Sequence, residues 1–197
     1  FKIKVKNGIL DFYIKNFYKS YFKSKKSILP FVTAKMAISK DFYTNNKKKR
    51  WITNQFSRGR VHLMRNNHDC ILTSANTVIK DNSKLTCRIK GLEGNSPSRV
   101  ILDKKLKIPI TSNIVKSAKK WRTIIFFHKI DQKKINVLKS LKIKLIRMPV
   151  GIDGNFDLGN ILMKVKSLSF SRIFIESGLN LTAGFLSKDL VDDFQLF

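Results

Sequence analysis

From Arg99 onward, short apolar runs of strand length alternate with helix-patterned segments, and that alternation constrains the fold more than any other feature. Arg99-Val-Ile-Leu102, Thr123 to His128, Ile143 to Met148 and Arg172-Ile-Phe-Ile-Glu176 each read as strands. Between them, Gln132 to Leu141 reads as a helix, and Asp157 caps a second helix that runs to about Lys166. Strands that alternate with helices are joined by crossovers, which makes neighbouring strands parallel. The expected architecture is therefore an α/β layer fold with a mostly parallel sheet flanked by helices. A chain of 197 residues suits one such domain with a substantial core.

The most informative stretch lies upstream, from Arg65 to Arg88. An apolar run, Cys70-Ile-Leu-Thr73, is followed by a small polar turn, Ser74-Ala-Asn-Thr77, then Asp81, and the segment closes on Leu85-Thr-Cys-Arg88. One reading is a buried strand that delivers polar groups to its C-terminal end, where open α/β sheets bind ligands. The two arginines then suit an anion, because a guanidinium fork matches a phosphate. The other reading is a core strand with a solvated loop and two surface arginines. A second stretch, Glu176-Ser-Gly-Leu-Asn-Leu-Thr-Ala-Gly184, joins a strand to a helix ending near Lys188. Gly178 permits a tight turn there, Asn180 can cap the helix, and free N–H groups at the helix start can bind a phosphate.

The remaining segments are plainer. Phe12, Phe17, Tyr18, Tyr21 and Phe22 recur near helical spacing, which predicts a helix from about Ile9 to Lys23 with its rings packed on a core and its lysines snorkelling. Phe31 to Ser39 is strand-like, with Lys35 in its middle either at an edge or as a buried cation with a task. Lys47 to Arg50 is a solvated loop tip. Thr53 is a good N-cap for a helix that carries Arg65 in its last turn, where the helix dipole also favours a cation.

Cys70 and Cys87 form no CxxC pair, and no histidine lies at zinc spacing to them, so neither zinc nor a disulfide framework is expected and a reducing cytoplasm is the default. His62, His68 and His128 form no constellation. No apolar run reaches the length of a membrane span. The formal charge of +27 invites a nucleic-acid-binding module as an alternative. Basic residues are scattered through the first 150 positions, while the last 47 hold four basic and six acidic groups, a net of −2. That distribution fits a compositional bias as well as a binding face, and nucleic acid is not the expected partner.

From Pro30 onward the chain resembles, in colinear order, the reductase domain of the bifunctional riboflavin-biosynthesis deaminase-reductases. The matching segments are Pro30-Phe-Val-Thr-Ala-Lys-Met-Ala-Ile-Ser-Lys-Asp41, Trp51-Ile-Thr53, Arg65 to Arg88, Arg99-Val-Ile-Leu-Asp103, Glu176 to Gly184 and Leu190-Val-Asp-Asp193. The resemblance implies a dihydrofolate-reductase-like fold and NADPH-dependent reduction of 5-amino-6-(5-phosphoribosylamino)uracil to the ribitylamino compound, by a cytoplasmic homodimer. A dihydrofolate-reductase-like enzyme with another substrate is the remaining alternative. By position, Ala37, Trp51, Thr77, Asp81 and the turn Gly178, Leu179, Asn180, Leu181, Thr182, Ala183, Gly184 would contact NADPH. Arg65, Leu85, Arg88 and Glu176 would contact the phosphorylated pyrimidine substrate, with the arginines on its phosphate. Lys35 would reach it too, and Glu176 and Lys35 are the candidates for proton transfer.

The resemblance has departures. Phe42 stands where the family has Gly, Lys49 and Lys104 where it has Ser, and Asp81-Asn82-Ser83 where it has Asp-Asp-Pro. Residues 1–29 resemble the tail of the family's deaminase domain and a linker, and zinc belongs only to that domain, whose His-x-Glu and Pro-Cys-x-x-Cys motifs are absent here. Residues 30–197 would be the reductase domain without its last strands, which predicts an exposed sheet edge and a weakly stable or dimer-dependent fragment.

Overall fold

A computed structural model describes residues 3–44 and 52–197. Seven strands form one sheet in the order β5-β4-β3-β2-β6-β1-β7, with β1 at Phe31–Met36, β2 at Cys70–Ser74, β3 at Ser98–Leu102, β4 at Thr123–Phe127, β5 at Lys144–Arg147, β6 at Arg172–Glu176 and β7 at Asp193–Leu196. Every pairing is parallel. All seven C-terminal ends therefore share one edge of the sheet. The chain places β2, β3, β4 and β5 side by side, then returns to insert β6 between β2 and β1. That reversal creates the crevice where open α/β sheets bind ligands.

The central strands are near-continuous apolar runs because both sheet faces are covered. On one face, Val32, Leu72, Val100, Phe126 and Ile175 pack against α7 (Leu158–Ser167) and α8 (Leu179–Leu186) through Ile161, Leu162, Val165 and Phe185. On the other, Ile71, Ile101, Ile125 and Phe174 pack against α3 (Gln55–Asn66), α4 (Ala75–Asp81), α5 (Asn113–Lys116) and α6 (Gln132–Ser140). Side-chain caps start four of these helices. Asn54, Ser74, Asp131 and Asp157 each accept a hydrogen bond from the backbone N–H three residues on. Asn54, not Thr53, caps α3. The expected polar turn at Ser74 to Thr77 is the start of α4, with Ser74 as its cap.

The N-terminal segment departs from expectation. It forms two helices, α1 (Asp11–Phe17) and α2 (Lys19–Lys26), separated at Tyr18, and neither contains a buried residue. Phe12 is 77% exposed and Phe17 78%, so the rings do not pack on the core. Polar contacts fasten α2 to the domain instead: Lys19 Nζ lies 2.8 Å from Asp193 and Lys23 Nζ 2.6 Å from Asp192. The same Asp192 carboxylate accepts from the Val32 amide at 2.8 Å, tying α2, β1 and the approach to β7 together.

One buried charge escaped sequence reasoning. Arg99 is fully buried and pairs with no acid among the described residues. Its guanidinium donates to Thr123 Oγ1, Ser117 Oγ and the carbonyls of Lys84 and Trp121. Desolvation pulls its pKa down to about 10, and the neutral acceptors keep its donors satisfied.

Candidate active site

The C-terminal ends of β1 and β6 bring two ionisable side chains together. Lys35 and Glu176 are register partners on adjacent strands, so both project from the α3 side of the sheet. Arg65 reaches them from the last turn of α3. Its Nε lies 2.9 Å from Glu176 Oε2 and its Nη2 2.7 Å from Oε1, a two-pronged ion pair. The Nη1 donates to the Thr86 carbonyl at 2.9 Å. The pair is nearly dry, with side-chain exposures of 9% and 18%.

These contacts set the protonation states. Burial alone would raise the Glu176 pKa, but the charge and hydrogen bonds of Arg65, joined by Lys35, hold it below the usual carboxylate value. Glu176 is therefore a standing carboxylate, suited to accepting hydrogen bonds and poorly suited to donating a proton. Burial lowers the Lys35 pKa, Glu176 opposes that shift, and Arg65 adds to it. The Lys35 ammonium makes no hydrogen bond among the described residues and lies 5.9 Å from the centre of the Phe197 ring. A desolvated ammonium with a lowered pKa gives up its proton more readily than an ordinary lysine.

Arg65 also differs from expectation. Its guanidinium is committed to Glu176 and Thr86, which leaves it no free fork for a phosphate. Arg88 is different: its side chain is exposed and makes no hydrogen bond among the described residues. Burial and the nearby Arg65 charge lower its pKa, which places it in the same field. Arg65, Glu176 and Arg88 thus lie around one site, with Arg65 behind it and Arg88 on its rim. Leu85 has a positive φ of 52° and is 2% exposed, and its side chain belongs to the core.

His62, one helical turn before Arg65, was not anticipated. Its Nδ1 accepts from the Arg88 amide at 3.2 Å and lies 3.4 Å from Arg65 Nη1. Burial, then the charges of Arg65 and Arg88, push its pKa down to about 4. A neutral imidazole thus ties the Leu85–Arg88 segment to α3. The spacing of His62 and Arg65, three apart on a helix, was the available signal. His68 is a core histidine, stacked on Phe174 with ring centres 5.3 Å apart and bonded to Thr33 Oγ1 and the Met64 carbonyl.

Beside this cluster lies the turn from β6 into α8. The Gly178 amide donates to Thr77 Oγ1 at 3.3 Å, and Thr77 Oγ1 also lies 3.0 Å from Ser74 Oγ, so the starts of α4 and α8 adjoin. Gly178, not Asn180, is the N-cap, and no side chain caps α8. The first amides of α8, at Leu179, Asn180 and Leu181, have no intrahelical acceptor. Gly178 has an extended backbone that any residue adopts, so the turn itself does not require glycine. An added Cβ would meet nothing within 4 Å, so the open space above the amides is what a side chain there would fill. Uncapped amides beside open space suit a pyrophosphate.

The later part of the turn points elsewhere. Thr182 is buried, and Gly184 packs on α7, where a Cβ would come within 3.3 Å of Leu158 Cδ1. Leu181 also joins the core, while Ala183 is exposed. Gly184 thus serves helix packing rather than ligand contact. Asp81 sits exposed at the end of α4, and burial followed by the charge of Glu176 raises its pKa against the pull of Lys80 and Lys35. Ala37 follows β1 and is half-buried. Trp51 and Lys49 lie outside the described residues. Among the described residues, no cluster of His, Cys, Asp and Glu can hold a metal, and no helix is long and apolar enough to cross a membrane.

A parallel α/β sheet flanked by helices, with a lysine and a buried arginine-carboxylate pair at its switch point, is a domain of the dihydrofolate-reductase-like fold class. The RibD C-terminal domain family model matches residues 30–197, and the chain belongs to that family. The riboflavin biosynthesis protein RibD of Aquifex aeolicus is 29% identical over 197 residues, covering 99% of this chain and 53% of its own length. The chain thus spans about half the length of the curated relatives it matches. A solved deaminase/5-amino-6-(5-phosphoribosylamino)uracil reductase from Thermotoga maritima superposes with a TM-score of 0.75 at 26% identity, over 94% of this chain and 50% of that one. RibD of Acinetobacter baumannii shares the fold, with a TM-score of 0.79 at 24% identity, over 98% and 52% of the two chains.

Proposed function

We propose that this chain is the reductase that converts the ribosyl group of 5-amino-6-(5-phosphoribosylamino)uracil to a ribityl chain at the expense of NADPH. The observation that carries this reading is Lys35, a desolvated ammonium without a hydrogen bond among the described residues, beside a carboxylate held ionised by Arg65. NADPH would supply the hydride, and the uncapped amides of α8 with Thr77 would hold its pyrophosphate.

The residues then divide the work. The sugar must open to an imine before C1′ can accept hydride. As hydride adds to C1′, the C=N pair moves to nitrogen, which takes its proton from Lys35 Nζ. Glu176 keeps Lys35 charged until that step and accepts hydrogen bonds from the sugar hydroxyls. Arg65 holds Glu176 in place and in charge. Arg88, on the rim, binds the substrate phosphate, and His62 fixes the Arg88 main chain from behind.

The family assignment favours this chemistry over a nucleic-acid-binding module or another reductase substrate. Two buried, unpaired cysteines support a reducing cytoplasm as its compartment. We also propose that the protein forms a homodimer. A melting temperature that rises with protein concentration is the expected result, and a concentration-independent one would count against the dimer. The function itself is tested by NADPH consumption in the presence of the deaminated pathway intermediate. Consumption that requires both the intermediate and Lys35 is expected. No consumption, with NADPH failing to bind at about millimolar concentration, would defeat the reading.

A further inference from the structure

Between α4 and Arg88 the chain forms neither helix nor strand, yet almost every peptide in it is held from the side. The segment leaves α4 in a left-handed conformation at Asn82, with φ of 42°, and takes a second at Leu85, with φ of 52°. Residues that carry a Cβ adopt this conformation only where neighbouring groups hold them. For Leu85 those groups are two arginines. Arg99 Nη1 donates to the Lys84 carbonyl at 3.2 Å on one side, and Arg65 Nη1 donates to the Thr86 carbonyl at 2.9 Å on the other. Ser96 Oγ then accepts from the Cys87 amide at 3.0 Å, and His62 Nδ1 from the Arg88 amide at 3.2 Å.

Three of these four anchors belong to the site or its rim, and Arg99 does not. A fully buried guanidinium that pairs with no acid among the described residues is an unfavourable way to fill a core, and an aliphatic side chain would suffer less desolvation there. What the guanidinium adds is direction. Its Nε and Nη2 donate to Thr123 Oγ1, Nη2 also to the Trp121 carbonyl, and Nη1 to Ser117 Oγ as well as to Lys84. Ser117 ends α5 and Thr123 opens β4, so the fork joins a helix end and a strand start to the irregular segment. Asn113, the first residue of α5, adds a second tie: its amide donates to Asn82 Oδ1 and its Nδ2 to the Asn82 carbonyl, both at 2.8 Å. A lysine carries three donors on one nitrogen and cannot span the acceptors that Arg99 spans.

We infer that Arg99 is a positioning residue for recognition of the substrate phosphate. It holds the Lys84 carbonyl, the held carbonyl fixes the left-handed turn at Leu85, and that turn sets where Arg88 stands on the rim. Arg99 touches no ligand itself, because it is enclosed by the core. Lys35 and Glu176 are carried by β1 and β6, whereas Arg88 is carried by the irregular segment alone. Loss of the Arg99 fork should therefore reach phosphate binding and spare the hydride step. The inference rests on the reductase reading, in which Arg88 takes the substrate phosphate.

The test compares the whole chain with Arg99→Lys, which keeps the buried charge and loses the fork. Steady-state NADPH oxidation is measured with the phosphorylated intermediate and with the same compound lacking its phosphate. KM for the phosphorylated compound should rise by roughly 10-fold with kcat within about 2-fold, while kcat/KM for the other compound holds within about 2-fold. In an Arg88→Gln background, Arg99→Lys should add less than about 2-fold, because both changes act on one contact. Val100→Ala, a cavity on the opposite face of β3, should lower the melting temperature and leave KM unchanged. Amide hydrogen exchange gives a readout that needs no turnover: the Leu85–Arg88 amides should exchange roughly 10-fold faster in Arg99→Lys, with the β6 amides unchanged. An unchanged KM, equal losses on the two compounds, full additivity with Arg88→Gln, or faster exchange spread evenly over the domain would each overturn the inference and leave the reductase reading standing. A wild type that does not oxidise NADPH with the intermediate would defeat the reductase reading and, with it, the phosphate role, while exchange confined to the segment would still establish Arg99 as its anchor.

Discussion

Replacing Glu176 by Gln removes one charge from a nearly dry ion pair and leaves Arg65 in place. The shape barely changes, and the amide can still accept one hydrogen bond from the guanidinium. What is lost is the compensation of a buried cation. Breaking a buried pair on one side costs 3–5 kcal/mol in typical cases, and the partial opening of this site toward solvent argues for the lower end, about 3 kcal/mol. For a domain of this size that corresponds to a fall in melting temperature of about 6–12 °C. Urea unfolding should show a lower midpoint with an unchanged slope. The pH dependence carries a sign. The folded Glu176 pKa lies below its ordinary value of 4.5, so its contribution is present above that pH and is lost as pH falls through the folded value. The gap between wild type and variant should therefore shrink in acid. Replacing both partners, Arg65→Met with Glu176→Leu, should cost less than the two single changes added together. A Gln variant within about 0.5 kcal/mol of wild type, or a gap that persists unchanged into acid, would refute the buried-pair account.

Two further predictions concern stability alone. Phe42 has a φ of 65° and is 81% exposed, a left-handed conformation held where the family carries glycine. Phe42→Gly should stabilise the fold by about 0.5–1 kcal/mol in thermal or urea unfolding, the relief of strain exceeding the added chain entropy. The Thr73 hydroxyl is buried and without a partner among the described residues. Thr73→Val keeps the shape and removes the orphan, and should raise stability by about 1 kcal/mol by the same measurement.

The sheet was legible because its strands are buried on both faces and spelled as short apolar runs. Arg172–Glu176 was legible to the residue, and Asp157 announced α7 by its capping chemistry. The short α4 was not, because seven residues led by Ser-Ala-Asn-Thr look like a turn when the cap is not recognised. The N-terminal aromatics misled for a different reason. Helical spacing predicts that rings share a side, but not that anything covers it. The resemblance named Arg65, Arg88 and Glu176, which the fold brings near one another, yet residue types alone did not reveal that Arg65 spends its fork on Glu176. Those two are 111 positions apart, and only the return of β6 beside β1 brings them together. The same limit hid the bond between His62 and the Arg88 amide.

The most direct test of the proton-transfer role of Lys35 is the pH dependence of single-turnover NADPH oxidation with the intermediate bound, in wild type and in Glu176→Gln. The account predicts a rate that falls on the alkaline side as Lys35 loses its proton, at a pH below the ordinary lysine value of 10.5. It predicts that this limb moves to still lower pH in the variant, because the carboxylate that favours the charged lysine is gone. An alkaline limb that stays in place when Glu176 is neutralised, or that survives in Lys35→Met, would contradict it.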